Sequence, residues 1–236
     1  ILSRGLGVPQ DLPQAVALYG KAAEKGVLEA QFQTALFMLT GKYLPKDEAK
    51  AKDYLEKAVA GGHALAGVNL AQLILSDAKN DADRKKAYDL FLKAANSGLA
   101  DAQYAVSQFL ANGTGGVPFD EEAARLWLEK AARQNYDTAM LDYASWLIDG
   151  IGGKKDYETG FAWMKRAAEA GNVAAQRQLA RLYESGIGTK GDTVTAAAWY
   201  IIAKRPKLHD PALDDLLDGL TDDEMKQAIE IANRLK

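Results

Sequence analysis

Gly186-x-Gly188-x-x-Gly191 has the spacing with which a glycine-rich loop cradles the pyrophosphate of a dinucleotide. That chemistry needs a strand before the first glycine. Here a helical pattern precedes it and related glycines recur at the same phase elsewhere, so a helix-to-helix turn is expected. Ser76 and Lys79 have the Ser-x-x-Lys spacing of penicillin-recognising serine enzymes, a nucleophile beside a lysine base. The companion Ser-Asp-Asn and Lys-Thr-Gly strings are absent, and Thr189-Lys190-Gly191 has the wrong order. The two histidines, His63 and His209, belong to no His-Glu-x-x-His motif, and no Gly-x-Ser-x-Gly string occurs. His63 follows Gly62 at an expected helix end, where a cation would complement the dipole; His209 precedes Asp-Pro in an irregular tail. Asp214, Asp215, Asp218 and Gly219 have a calcium-loop flavour, but Leu216 stands where such a loop needs an oxygen ligand. Asn112-Gly113-Thr114 is a glycosylation sequon whose glycine belongs to a repeating turn, so its match is taken as coincidence. With 0 cysteines, thiol catalysis, disulfides and cysteine-based zinc sites are excluded. No acid, base and nucleophile converge in the sequence; a non-enzyme without metal or cofactor is expected.

The chain has 236 residues, 29 Lys+Arg and 32 Asp+Glu, hence a net charge of −3. That balance argues against duplex nucleic acid as a partner, because such binding needs a basic patch that displaces counterions. Hydrophobic residues at 48% suit a folded globular chain. No apolar run approaches the ~18 residues of a spanning helix, so no membrane insertion is expected here. The first residue is Ile1, and Leu2-Ser3-Arg4-Gly5-Leu6-Gly7 matches the end of a helix. The natural protein is therefore expected to extend further N-terminally, beginning mid-repeat as read here.

What must position these residues is a repeat. Asp11, Asp47, Asp83, Asp120, Asp156 and Asp192 are separated by 36, 36, 37, 36 and 36 residues. Four residues after each stands a small one (Ala15, Ala51, Ala87, Ala124, Gly160, Ala196), and seven after stands a large one (Leu18, Tyr54, Leu90, Trp127, Trp163, Trp199). Gly26, Gly62, Gly98, Asn135 and Gly171 close these segments. Asp suits an N-cap, and Gly or Asn supplies the left-handed residue that ends a helix. Partner helices are expected to start near Ala30, Ala66, Ala102, Ala139 and Ala175 and to run to Gly41, Asp77, Gly113, Gly150 and Gly186. A two-helix hairpin cannot bury its own apolar face, so the expected fold is all-α, a right-handed α-α superhelix (solenoid) of stacked repeats.

The frame is 1–29 (partial), 30–65, 66–101, 102–138, 139–174 and 175–209, about five and a half repeats, followed by a helical cap over 210–236. Pro206 and Pro211 break the period in the tail. Thr221 and Glu224 have capping-box spacing, and Met225, Ala228, Ile229 and Ala232 share one face of the helix that follows.

Ala175, Leu179-Ala180, Tyr183, Gly186-Ile187-Gly188, Asp192 and Trp199-Tyr200 carry a pattern that resembles the Sel-one-like repeat family, a relative of tetratricopeptide repeats. Leu126-Trp127 to Ala131-Ala132 and Trp163-Met164 to Ala167-Ala168 repeat it. Asp77 and Lys79 replace both turn glycines in the repeat 66–101. The resemblance implies a scaffold or adaptor rather than an enzyme. Bacterial members are often periplasmic and tied to envelope polysaccharide, signalling or host contact, and eukaryotic ones include adaptors of endoplasmic-reticulum degradation. The Leu220-Thr221 helix start is similar to the ends of bacterial periplasmic members.

Counting from each starting alanine as zero, positions 0, 4, 5 and 8, which the resemblance implies are core, cluster on one side at about 100° per residue. Positions −1, 2, 6 and 9 lie opposite, where related solenoids have a concave groove. They hold Phe32, Leu36 and Leu39; Val68, Gln72 and Leu75; Tyr104 and Gln108; Leu141 and Ile148; Arg177, Arg181 and Glu184. The expected partner is a protein segment or helix held on Phe32, Leu36, Val68, Gln72, Tyr104, Gln108, Leu141, Arg177 and Arg181, the arginines pairing a partner carboxylate. Sideways packing of these helices would instead bury much of the stripe. A second reading is a peptidoglycan or polysaccharide fragment stacked on Tyr104, Tyr143 and Trp146. The expected state is a monomer or weak oligomer in the periplasm, with the cytoplasm as the alternative.

Overall fold

The computed structural model describes residues 11–204 and 210–235. Within these, all regular structure is helical: α1 (Leu12–Glu24), α2 (Leu28–Thr40), α3 (Glu48–Ala60), α4 (Ala64–Ser76), α5 (Asp81–Asn96), α6 (Ala100–Asn112), α7 (Glu121–Arg133), α8 (Asp137–Asp149), α9 (Tyr157–Glu169), α10 (Val173–Ser185), α11 (Thr193–Ala203), α12 (Pro211–Asp218) and α13 (Asp222–Leu235). They fall into two compact units that divide between Phe119 and Asp120. From α1 to α6 in the first unit and from α7 to α11 in the second, each helix packs on the next, the stacking expected of a solenoid. The helix end expected at Leu2–Gly7, the break at Pro206 and the tail residue His209 lie outside the described residues.

Five recurring aspartates begin helices. Asp11, Asp47, Asp120, Asp156 and Asp192 have extended backbones, and each carboxylate accepts the amide proton three residues on at 2.9–3.0 Å. Gly26, Gly62, Gly98, Asn135 and Gly171 end the first helices with φ of +83°, +92°, +91°, +62° and +95°.

Asp83 departs from the rule. In α5 the cap is Asn80, whose Oδ1 accepts from the Asp83 amide, while the Asp83 carboxylate reaches back to the Lys79 amide. This reciprocal pair starts the helix one turn early, because no turn glycine holds residues 77–80 away from helical geometry. The alanine-started helices also begin two residues before the expected alanines, since the cap falls directly after the left-handed residue: Val27, His63, Leu99, Tyr136 and Asn172.

Positions 0, 4, 5 and 8 of these helices form the core as expected: Ala66, Leu70, Ala71 and Ile74 are buried, as are Ala102, Val106, Ser107 and Leu110. One buried position was not foreseen. At position 1, Gln31, Gln103 and Gln176 donate from Nε2 to the carbonyls of Ala23, Ala95 and Ala168, tying each helix to the last turn of the one before.

The tail covers α11. Ala228 and Ala232 of α13 pack with Ala197 and Ala198, flanked by Ile201, Ile202, Leu216, Leu217, Leu220 and Ile231. Thr221 and Glu224 exchange hydrogen bonds as a capping box. Ile229, expected on the buried face, is exposed, and Ile231 packs on the cluster instead.

Candidate functional site

The stripe at positions −1, 2, 6 and 9 divides into buried and accessible residues. Phe32 is 6% and Val68 4% exposed, which corrects their assignment to a partner-facing surface. Phe32 is lost because the imidazole of His63, opening the next alanine-started helix, lies 4.6 Å from its ring. In the first unit Leu36, Leu39, Leu75, Tyr104 and Gln108 are half-buried and Gln72 is exposed. In the second, Leu141 and Ile148 are half-buried. Of these accessible residues, Leu36, Leu39, Leu75, Tyr104, Leu141 and Ile148 are largely apolar and Gln72 and Gln108 carry amides, a set that can hold an apolar side chain and a peptide group.

The two arginines are already engaged. Arg177 and Arg181 donate to the same Asp210 oxygen at 2.6 and 2.7 Å. Asp210 is 3% exposed and caps the start of α12 with its backbone, its side chain given over to the arginines. Burial pushes its carboxyl up, but the hydrogen bond from Arg177 and the charge of Arg181 outweigh that and hold it below the usual carboxylate range. The carboxylate expected of a partner is thus supplied by this chain. Nothing in the spacing of Arg177 and Arg181 signalled it, because Asp210 lies beyond the repeat.

Neighbouring repeats are also tied at helix starts. His63 Nδ1 accepts from the Ala66 amide at 3.1 Å, so Nε2 carries the proton facing Glu29 at 3.0 Å. His63 therefore caps as an acceptor at a helix start, not as a cation at a helix end. The Glu29 carboxyl is lowered by the hydrogen bonds from His63 and Gln33. In the second unit Asn172 does the same work, accepting from Ala175 and donating to Asp137.

The remaining motifs are structural. Gly186 closes α10 at φ +68° and Gly188, at φ +72°, presses on α9, which makes the dinucleotide-like string a helix-to-helix turn. The Ser76 hydroxyl donates to the Leu73 carbonyl and the Lys79 amide to Asp83. Asp214 accepts from the Tyr200 hydroxyl and the Lys204 ammonium within a helix, not a loop. Among the described residues no group of three or more His, Cys, Asp or Glu could hold a metal ion, and no helix is long and apolar enough to cross a membrane. Tyr143, named for sugar stacking, is buried edge-on to Trp163 at 5.6 Å, and burial raises its hydroxyl pKa.

Comparison with known families decides what this arrangement is. The Sel1 repeat matches residues 1–27, 28–63, 78–99, 100–136, 138–172 and 173–205. The chain belongs to the Sel1 repeat family. The matched segments leave out 64–77, the stretch that contains α4 and its glycine-free end. Sel1 repeat proteins generally mediate protein–protein interaction, and their scaffold is generally non-catalytic. Chitin synthase regulatory factor 3 of Schizosaccharomyces pombe is 30% identical over 158 residues, covering 64% of this chain and 17% of that protein. Uncharacterized protein NMB1327 of Neisseria meningitidis is 33% identical over 107 residues, 45% of this chain and 22% of that one. The chain spans only about a fifth of the length of these curated relatives. Among solved structures, a Sel1 repeat protein from Oxalobacter formigenes is 30% identical with a TM-score of 0.74, covering 93% of this chain and 63% of that one. The uropathogenic Escherichia coli protective antigen c5321, which displays an SLR fold, is 24% identical with a TM-score of 0.62 over 99% of this chain and 58% of its own.

Proposed function

We propose that this chain is a non-enzymatic adaptor that binds a partner protein on the accessible face of its alanine-started helices, as part of a bacterial cell-envelope assembly or regulatory system. The observation that carries this reading is the half-exposed row Leu36, Leu39, Leu75 and Tyr104 with Gln72 and Gln108 in the first unit. A row of partly exposed apolar groups with amides between them is what an interaction surface offers a partner. Leu141 offers the corresponding contact in the second unit. Arg177 and Arg181 join only if a partner carboxylate displaces Asp210. The envelope placement, periplasmic rather than cytoplasmic, rests on the likeness of the Leu220-Thr221 helix start to bacterial periplasmic members.

The test is binding of the purified partner, recovered from envelope extract, to Tyr104→Ala/Gln108→Ala and to Lys86→Ala on an Asp-started helix. A loss of at least about tenfold, on the order of 1.4 kcal/mol, in the first alone supports the reading. Equal affinity of both variants and the unaltered chain sinks it. Titration with muropeptides in the same assay decides the polysaccharide alternative, which keeps Tyr104 and Trp146 but has lost Tyr143 to the core.

A further inference from the structure

The second turn glycine of a repeat has a recurring seat. Gly115 lies against Arg84 and Lys85, Gly152 against Glu121 and Arg125, and Gly188 against Tyr157 and Phe161. Counted from the recurring aspartates Asp83, Asp120 and Asp156, these neighbours stand at positions 1, 2 or 5. The approach is close: a Cβ on these glycines would fall 2.6, 2.2 and 2.1 Å from its nearest neighbour. In three places the chain's own glycine turn thus sits on the residues one to five positions after a recurring aspartate.

On α3 the same seat is vacant. The residues that would form the turn after α4 are wound into the early start of α5, leaving only 77–80 as a link. A cavity of about 240 Å³ opens there, lined by Glu48, Ala49, Lys52, Leu73, Ile74, Asp77 and Asp83. Glu48, Ala49 and Lys52 stand at positions 1, 2 and 5 from Asp47, the positions that hold the glycine turn elsewhere. Leu73, Ile74 and Ala49 give it an apolar floor. Its ionisable lining of three carboxylates (Glu48, Asp77, Asp83) and one ammonium (Lys52) is net negative even with Glu48 paired to Lys46 at 2.7 Å, and Asp77 stands at the exposed end of α4.

We propose that this cavity is a docking site for a glycine-containing, lysine- or arginine-bearing turn of a partner protein, which does in trans on α3 what the chain's own turns do in cis on α5, α7 and α9. Glycine is expected because the turns on α5, α7 and α9 come too close to their helices to carry a Cβ, and basic residues because the rim is acidic. The site is separate from the alanine-started helix face and stands or falls without it.

The probe is acetyl-Gly-Ile-Gly-Gly-Lys-Lys-amide, the sequence of residues 150–155, titrated into the ¹⁵N-labelled chain. Expected are saturable shifts at the amides of Ala49, Lys52, Leu73, Ile74 and Asp77 with a Kd on the order of 1 mM, the strength open to a short flexible peptide. Asp77→Lys should weaken binding at least about threefold through charge alone, and Ala49→Trp should abolish it by filling the seat. The alanine version, acetyl-Ala-Ile-Ala-Ala-Lys-Lys-amide, should bind at least about threefold more weakly. No saturable shift at these amides up to about 10 mM overturns the proposal. So does equal binding of both peptides, which would make the cavity a reader of positive charge only. A concentration-dependent dimer abolished by Ala49→Trp would assign the seat to a second copy and also overturn it.

Discussion

Replacing Gly188 with alanine separates two demands that a turn glycine can meet. The backbone at Gly188 has φ +72°, and at Gly171 φ +95°, so a Cβ at either position carries the left-handed penalty of about 1–2 kcal/mol. The surroundings differ. A Cβ at 171 meets nothing within 4 Å, whereas one at 188 would stand 2.1 Å from the Tyr157 carbonyl oxygen and 2.7 Å from Phe161 Cβ. Ordinary carbon contacts lie at about 3.5–4.0 Å, so the 186–192 turn must lift off α9 by more than about 1 Å. Overpacking of that kind adds about 1–3 kcal/mol. Gly171→Ala should therefore cost about 1–2 kcal/mol and Gly188→Ala about 2–5 kcal/mol. Urea unfolding followed by tryptophan fluorescence suits the comparison, because Trp127, Trp146, Trp163 and Trp199 all lie in the second unit. Losses equal within about 0.5 kcal/mol would refute the seating of the turn on α9, and with it the argument for the vacant seat on α3.

Three further outcomes follow from the same packing. Gly67→Ala should stabilise the first unit by about 0.5–1 kcal/mol, since its Cβ would meet the Leu90 carbonyl at 3.7 Å and Val59 at 3.9 Å within a helix; thermal melting that shows a loss would contradict this. Leu128→Ala, at a fully buried position of α7, should cost about 2–5 kcal/mol, with a loss under about 1 kcal/mol in urea unfolding pointing to a layer that is not packed. Asp210→Asn should cost about 1–3 kcal/mol, below the full cost of breaking a buried pair because Arg177 and Arg181 are 29% and 47% exposed. Because the folded carboxyl of Asp210 lies below its ordinary value of 3.8, its contribution is complete above that value and fades as pH falls through the folded one. The difference between wild type and Asp210→Asn should accordingly shrink in acid; a difference that persists at pH well below the carboxylate range would refute the charge pairing.

The repeat was readable because its marks are local. An Asp that caps and a Gly that turns act within a few residues of themselves, so spacing alone places Asp11, Asp47, Asp120, Asp156 and Asp192 at helix starts. Asp83 misled because Asn80 is an equally good cap three residues earlier, and no glycine there prevents the extra turn. The recurring Gln31, Gln103 and Gln176 did leave a signal, one type at one phase, but amides on a helix read as solvent-facing until the partner carbonyl is seen. Phe32 and Val68 sit at the right angle for an open face, and only the neighbouring repeat, with His63 over Phe32, removes them from it. The Asp210 clamp is long-range, joining the irregular tail to α10, and no periodicity could foretell it.

Site-specific photocrosslinking in the native host tests the central claim most directly. A benzophenone amino acid placed at Gln72 or Gln108, on the alanine-started helices, should yield a discrete partner adduct. The same probe at Lys86 or Lys165, exposed on Asp-started helices, should yield none. Adducts of equal intensity from all four positions, or adducts only from Lys86 and Lys165, would contradict the assignment of partner binding to the alanine-started face.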